Sequence, residues 1–147
     1  MEPKITLMTP GQKHAIRRSF PTVAALAKPI SMLFYGRLFQ VDPQLRPMFK
    51  QDIEVQGRKL MDMLAALMSQ LDSFEDVLPA LKALGQRHVG YGVRAEHYPL
   101  VGTSLLWAIS VTLDEDFYPE LREAWSALIE IVARVMMEGA AELPPVE

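Results

Sequence analysis

Two of the three histidines in this sequence fall in one stretch, LGQRHVGYGVRAEHYPLVG, residues 84–102, and the first of them, His88, is followed at once by glycines. At about 100° per residue, Leu81 and His88 lie within roughly 20° of each other on a helix. Leu78, Leu81, Leu84 and His88 therefore share a face directed at a core. An imidazole there is either a core histidine satisfied by a carbonyl or a neutral nitrogen ligand in an apolar setting. Two further polar side chains face the same way. Tyr35 shares its face with Ser31, Leu38 and Phe39, with Arg37 and Gln40 behind it; ordinary core packing explains it when taken alone, provided the hydroxyl finds a partner. Gln56 heads a face made by Leu60, Met63 and Leu67, opposite Arg58, Asp62 and Ser69. Taken alone, it is a helix-end residue reaching water.

Together the three ask for one explanation. A buried imidazole, phenol and carboxamide each cost free energy unless they meet a hydrogen-bond or metal partner. A single bound group that accepts a nitrogen ligand on one side and hydrogen bonds on the other satisfies all three. Haem iron with a diatomic ligand is such a group.

These side chains need elements to hold them, and the elements are helical. Strand signals are almost absent, with no Asn-Gly or Asp-Gly turn, whereas apolar residues recur with helical period throughout. Thr9-Pro10 opens a first helix, and Pro21 is expected to close it near Ser19-Phe20. A second runs over about 28–41 to a corner made by Asp42-Pro43 and Pro47, and a third over about 55–71. Asp72-Ser73 is expected to cap a fourth, with Pro79 in its first turn and His88 at its end. Two more cover about 95–113 and 116–140. Pro99 and Pro119 fall near helix starts, where a missing N–H is harmless. The last helix carries an apolar stripe, Trp125, Leu128, Ile129, Val132, Val135 and Met136, with Glu123, Glu130 and Arg134 opposite. The segment around Val101, Leu105, Leu106, Ala108 and Ile109 is apolar nearly all round, as a helix between others would be. The expectation is one all-α domain over 1–147, with 1–8 and 141–147 frayed.

Composition removes several classes of function. Of 147 residues, 50% are hydrophobic and the net charge is −3, so a single domain with room for a sizeable core is expected. Scattered cations argue against nucleic acid, and the densest pairs, Arg17-Arg18 and Arg58-Lys59, read as solvated faces. The absence of cysteine excludes disulfides, thiolate-held metal, iron–sulfur clusters and covalent haem attachment through CxxCH. With no secretory signal and no membrane span in the sequence, a cytoplasmic location is expected.

The residues also match a family. HVGYGVRAEHYPLVG resembles the proximal-histidine signature of the single-domain bacterial globins and of the haem domain of flavohaemoglobins, H-x3-G-V followed by H-Y-P-[IL]-V-G. FYGRLFQVDPQLRPMF resembles that family's second helix and following corner, and VQGRKLM its distal helix entry. The resemblance spans essentially the whole chain. It implies a three-over-three globin fold around a non-covalent b-type haem (heme b) with His88 as the axial iron ligand. On the distal side it implies roles for Tyr35, Gln56 and Leu60. Around the macrocycle it implies Phe49, Leu64, Leu84, Val93, Tyr98, Val101 and Leu105, with Arg87 or Arg58 for a propionate. His97 would open the next helix as an exposed imidazole, and His14 would lie on the surface. One departure stands out. Where the family couples its proximal histidine to a tyrosine and a late glutamate, Tyr98 matches the tyrosine, but counting from Trp125 the glutamate is Ala140. The nearest acid, Glu138, is about 200° away and should face solvent unless a frayed end brings it or Glu142 back. Ile129 stands where a second tyrosine is often found.

The resemblance implies reversible binding of O2, with NO and CO as further ligands and peroxidase-like chemistry weakened by the missing carboxylate. The alternative is oxidation of NO to nitrate. With no GxGxxG in the sequence, that would use a separate reductase. A helical module that works through partners without haem is the remaining reading, and a gas sensor is a fourth. A monomer or weak dimer is expected.

Overall fold

The computed structural model describes residues 8–49 and 52–142. Among the described residues six α-helices form: α1 Pro10–Ala25, α2 Ala27–Val41, α3 Ile53–Ser69, α4 Leu78–Gly90, α5 His97–Leu113 and α6 Pro119–Ala141. Three 3-10 segments, Pro43–Met48, Leu71–Val77 and Asp114–Asp116, join them, and no strand occurs among the described residues. Helix α5 packs on α2 and α6, while α1 and α4 lie on α6 and α3 lies on α2. The result is two layers of three helices, α1, α3 and α4 over α2, α5 and α6.

The core is built largely from the apolar faces read from the sequence, although Ile129 of the α6 stripe and Val101 and Leu106 of α5 are only half-buried. Trp125, Leu128, Val132, Val135 and Met136 of α6 are buried, and Glu123, Glu130 and Arg134 are exposed. The indole N–H of Trp125 donates to the Ser19 hydroxyl at 3.0 Å, which satisfies the one polar atom of that buried ring. Helix α4 approaches α6 closely because two glycines face across the crossing. A Cβ on Gly85 would collide with the Met136 backbone, and one on Gly139 with the Lys82 backbone.

Three expectations about boundaries need correction. Pro21 does not close α1, which runs on to Ala25. A proline inside a helix costs about 3 kcal/mol, but the turn after it seats Val23 in the core with no exposure, and the break falls instead at Leu26. Asp72-Ser73 does not cap α4. The chain coils through a 3-10 segment that buries Leu71 and Phe74, and the Asp72 carboxylate turns to Arg17 at 2.7 Å. Finally, α6 starts at Pro119, because a ring with fixed φ and no N–H suits the first helical position, and Asp114–Asp116 form a separate turn. Of the termini expected to fray, Met8 is buried, Ala141 ends α6 and Glu142 pairs with Lys82; the rest lies outside the described residues.

Candidate functional site

The distal wall begins with Tyr35, which α2 buries among aromatic rings. Phe34 lies 4.6 Å from it between centroids, Phe49 5.4 Å away edge-on, and Phe39 6.0 Å away stacked. Phe49 follows the corner segment and is held there by Arg46, whose guanidinium donates to the Phe49 carbonyl at 3.2 Å and lies 5.3 Å over the Phe39 ring. Burial pushes the Tyr35 phenol up to about 12, so it stays protonated and a donor at any physiological pH. No hydrogen bond within the described protein engages that hydroxyl, yet no fully buried polar side-chain atom there lacks a partner. The oxygen of this otherwise buried residue therefore opens onto free space. Helix α3 crosses α2 where Gly57 abuts Ser31, one turn before Tyr35. That crossing brings the first turn of α3 alongside, with Gln56 and Leu60 half-buried and Leu64 buried.

The proximal wall is built on hydrogen bonds. His88 Nδ1 lies 2.8 Å from the Leu84 carbonyl. A carbonyl only accepts, so Nδ1 carries the proton and the lone pair sits on Nε2. Burial lowers the pKa of His88 most; the Leu84 bond opposes that shift and the Arg87 charge adds to it. The ring is a neutral nitrogen donor.

Of the two glycines after His88, Gly92 stops the helix. Gly92 adopts φ +92°, its N–H donates to the Val89 carbonyl at 3.0 Å, and the Val93 N–H donates to the His88 carbonyl at 3.0 Å. These two bonds around a left-handed glycine form a Schellman motif, which ends α4 within one turn of the imidazole. Tyr91 then folds back, its ring centroid 5.7 Å from that of His88 in an edge-on arrangement. This contact was not foreseen; an aromatic residue three positions after the histidine was its signal.

Of the other expected residues, Leu84, Val93 and Val101 are half-buried, Tyr98 and Leu105 are buried, and Arg87 and Arg58 are exposed. His14 is exposed as expected, but His97 is not. It is 5% exposed, because its Nδ1 accepts the Arg94 backbone N–H at 2.9 Å and the ring turns inward to do so. At the end of α6, Ala140 is half-buried and Glu138 exposed, as the helical angle requires. Glu142 is drawn to Lys82 at 2.9 Å rather than toward the imidazole.

The residues of the two walls, apolar side chains with one neutral imidazole nitrogen, suit a flat apolar group that brings its own metal. Helices α3 and α4 do not pack along one another, and the apolar side chains of Phe49, Leu60, Leu84, Val93 and Val101 remain half-buried at the edge of the core. Among the described residues, no cluster of three or more histidines, cysteines or acids could hold a bare ion. A lone neutral imidazole such as His88 suits a metal whose other ligands come with it, as those of iron do in a porphyrin.

Comparison with known proteins agrees with this geometry. The globin family model matches residues 33–136. The flavohemoprotein of Rhodopirellula baltica is 32% identical over 130 residues, which cover 85% of this chain and 32% of that protein. The flavohemoprotein of Bacillus subtilis is 30% identical over 121 residues, 80% of this chain and 30% of the relative. The chain thus spans about a third of the length of the curated relatives it matches. Among solved structures, an engineered carbene transferase from Rhodothermus marinus, described as a candidate nitric oxide dioxygenase, superposes with a TM-score of 0.83 at 28% identity, over 93% of this chain and 95% of that one. A flavohemoglobin from Malassezia yamatoensis with bound FAD and haem shares the fold, with a TM-score of 0.71 at 22% identity over 91% of this chain and 37% of that one. With a family match over most of its length and a two-layer helical fold to go with it, this chain belongs to the globin family.

Proposed function

We propose that this globin reversibly captures a diatomic gas, O2 ahead of NO or CO, on a non-covalent b-type haem with His88 as axial ligand. One observation carries the reading: the Nδ1 proton of His88 is given to the neutral Leu84 carbonyl at 2.8 Å, and no carboxylate of the described residues takes that place. A carboxylate partner would raise the basicity of the ligating ring. A backbone carbonyl does so weakly, which favours holding a gas over splitting it. Bound haem supplies an iron whose open face takes the gas. The chain's own residues do the rest. Phe49, Leu60, Leu64, Leu84, Val93, Tyr98 and Val101 exclude water, and Arg87 meets a propionate at the rim. Tyr35 donates a hydrogen bond to the gas, with Gln56 as a second donor. A charge-assisted bond from the phenol, about 1.5–3 kcal/mol, slows gas escape by roughly tenfold to more than a hundredfold. Tyr35→Phe should raise the O2 dissociation rate by that factor in stopped-flow measurements; an unchanged rate removes the phenol from the mechanism. Optical spectra of the ferric and ferrous protein, with His88→Ala alongside, test the axial bond, which the variant should abolish.

A second reading is favoured by the flavohemoprotein relatives and the Rhodothermus marinus structure. Here NO and O2 combine with one electron from a separate reductase to give nitrate. Mixing NO with the O2-loaded protein should yield nitrate in proportion to protein. Sustained turnover with an added reductase would separate catalysis from simple binding.

A further inference from the structure

The buried imidazole of His97 has no part in that function, and its surroundings are specific. We infer that His97 is a positioning residue for the proximal wall: it closes the connection between α4 and α5 and so keeps Val93 and Tyr98 in register with His88. The inference rests on His88 being the haem ligand.

Helix α5 begins without an ordinary cap, for Glu96 at its start makes no side-chain bond to the first turn. His97 supplies the missing closure. Its own N–H donates to the Arg94 carbonyl at 3.0 Å, and its Nδ1 accepts the Arg94 N–H at 2.9 Å. Two reciprocal bonds thus lock four residues into one turn, as a capping box locks a helix start. The turn is tied at both ends. Before it, the Val93 N–H donates to the carbonyl of His88 itself; after it, the Tyr98 N–H donates to the Ala95 carbonyl at 3.2 Å. The side chains of Arg94 and Glu96 pair with each other at 2.9 Å, but both are exposed, and such pairs hold little. The inward tie is the imidazole. With Nδ1 accepting, the ring proton must sit on Nε2.

The two ring nitrogens can be tested apart. Asparagine places an acceptor oxygen where Nδ1 is; glutamine reaches the Nε2 position and leaves Nδ1 empty; leucine has neither. Each variant is made in the holoprotein, and two quantities are followed: the rate of haem transfer to an apoglobin acceptor, and the ferrous iron–histidine stretching band. His97→Gln and His97→Leu should lose haem about five- to tenfold faster and shift the band, whereas His97→Asn should stay within about twofold of the parent. A glutamine variant that behaves like the parent while asparagine does not would transfer the role to Nε2 and overturn the inference, as would an unaffected leucine variant. Should the variants not fold, 15N NMR of the parent decides: Nδ1 should be unprotonated and the Arg94 amide slow to exchange, and a protonated Nδ1 or a fast Arg94 amide overturns it. That readout does not involve iron, so it is independent of the His88→Ala spectrum on which the parent reading stands or falls.

Discussion

The two walls of the crevice are held in different ways. The proximal wall is fixed by backbone: a Schellman motif after His88, a glycine crossing that presses α4 onto α6, and the Leu84 carbonyl on the ring. The distal wall is fixed by side chains, with Tyr35, Phe39 and Phe49 packed ring on ring and Arg46 laid over them. Backbone bonds have few alternatives, so the proximal imidazole has one place to be. Packed rings accept exchange, because volume-conserving substitutions in a core usually cost little. On the proposed function, the side that would hold the metal is fixed by backbone, while the side that would tune ligand escape is open to adjustment.

The contrast makes proximal changes act on stability and distal ones on kinetics. The largest stability effect is expected from Gly85→Ala. Alanine improves helix propensity by about 1 kcal/mol, but its Cβ would meet the Met136 backbone, which cannot rotate away. Overpacking of about 1–3 kcal/mol or more then wins, and thermal unfolding should fall by several degrees. A more stable Gly85→Ala protein would show that the crossing can relax. Next comes Gly92→Ala, where a residue with a Cβ must adopt φ +92°. About 1–2 kcal/mol is expected, visible as a lower melting temperature and faster haem loss but little change in gas dissociation. Tyr35→Phe should do the reverse, with a large kinetic change and nearly unchanged melting; if it destabilised the fold as much as Gly85→Ala, the contrast between the walls would fail. The smallest effect is one of pH. With its phenol pushed up to about 12, Tyr35 keeps its proton well beyond the ordinary tyrosine value near 10. Its folded pKa is raised, so the associated stability is complete below pH 10 and lost as pH climbs toward 12. The O2 dissociation rate should accordingly show no step near pH 10, and a step there would mean the ring is hydrated.

Much of this was legible from side-chain periodicity. The faces holding Tyr35 with Ser31 and Leu38, His88 with Leu81, and the α6 stripe through Trp125 all point inward in the structure. They could be read because helical period is a local property of apolar spacing. The misreadings occurred where a local signal met a distant partner. Pro21 is a good helix stop by itself, yet Val23 finds the core one turn later. Asp72 is a good cap by itself, yet Arg17 lies within reach. His97 beside a helix start resembles a surface residue until the Arg94 amide is turned toward it.

From residue order alone came the helices and the inward direction of one imidazole and one phenol, because each depends on dihedral preference and on spacing along one strand of chain. Which nitrogen of His88 keeps its proton, how near α4 lies to α6, and that α3 and α4 do not pack along one another were settled only by assembly. Those are matters of packing between segments far apart in sequence, where a few tenths of an ångström decide between contact and collision.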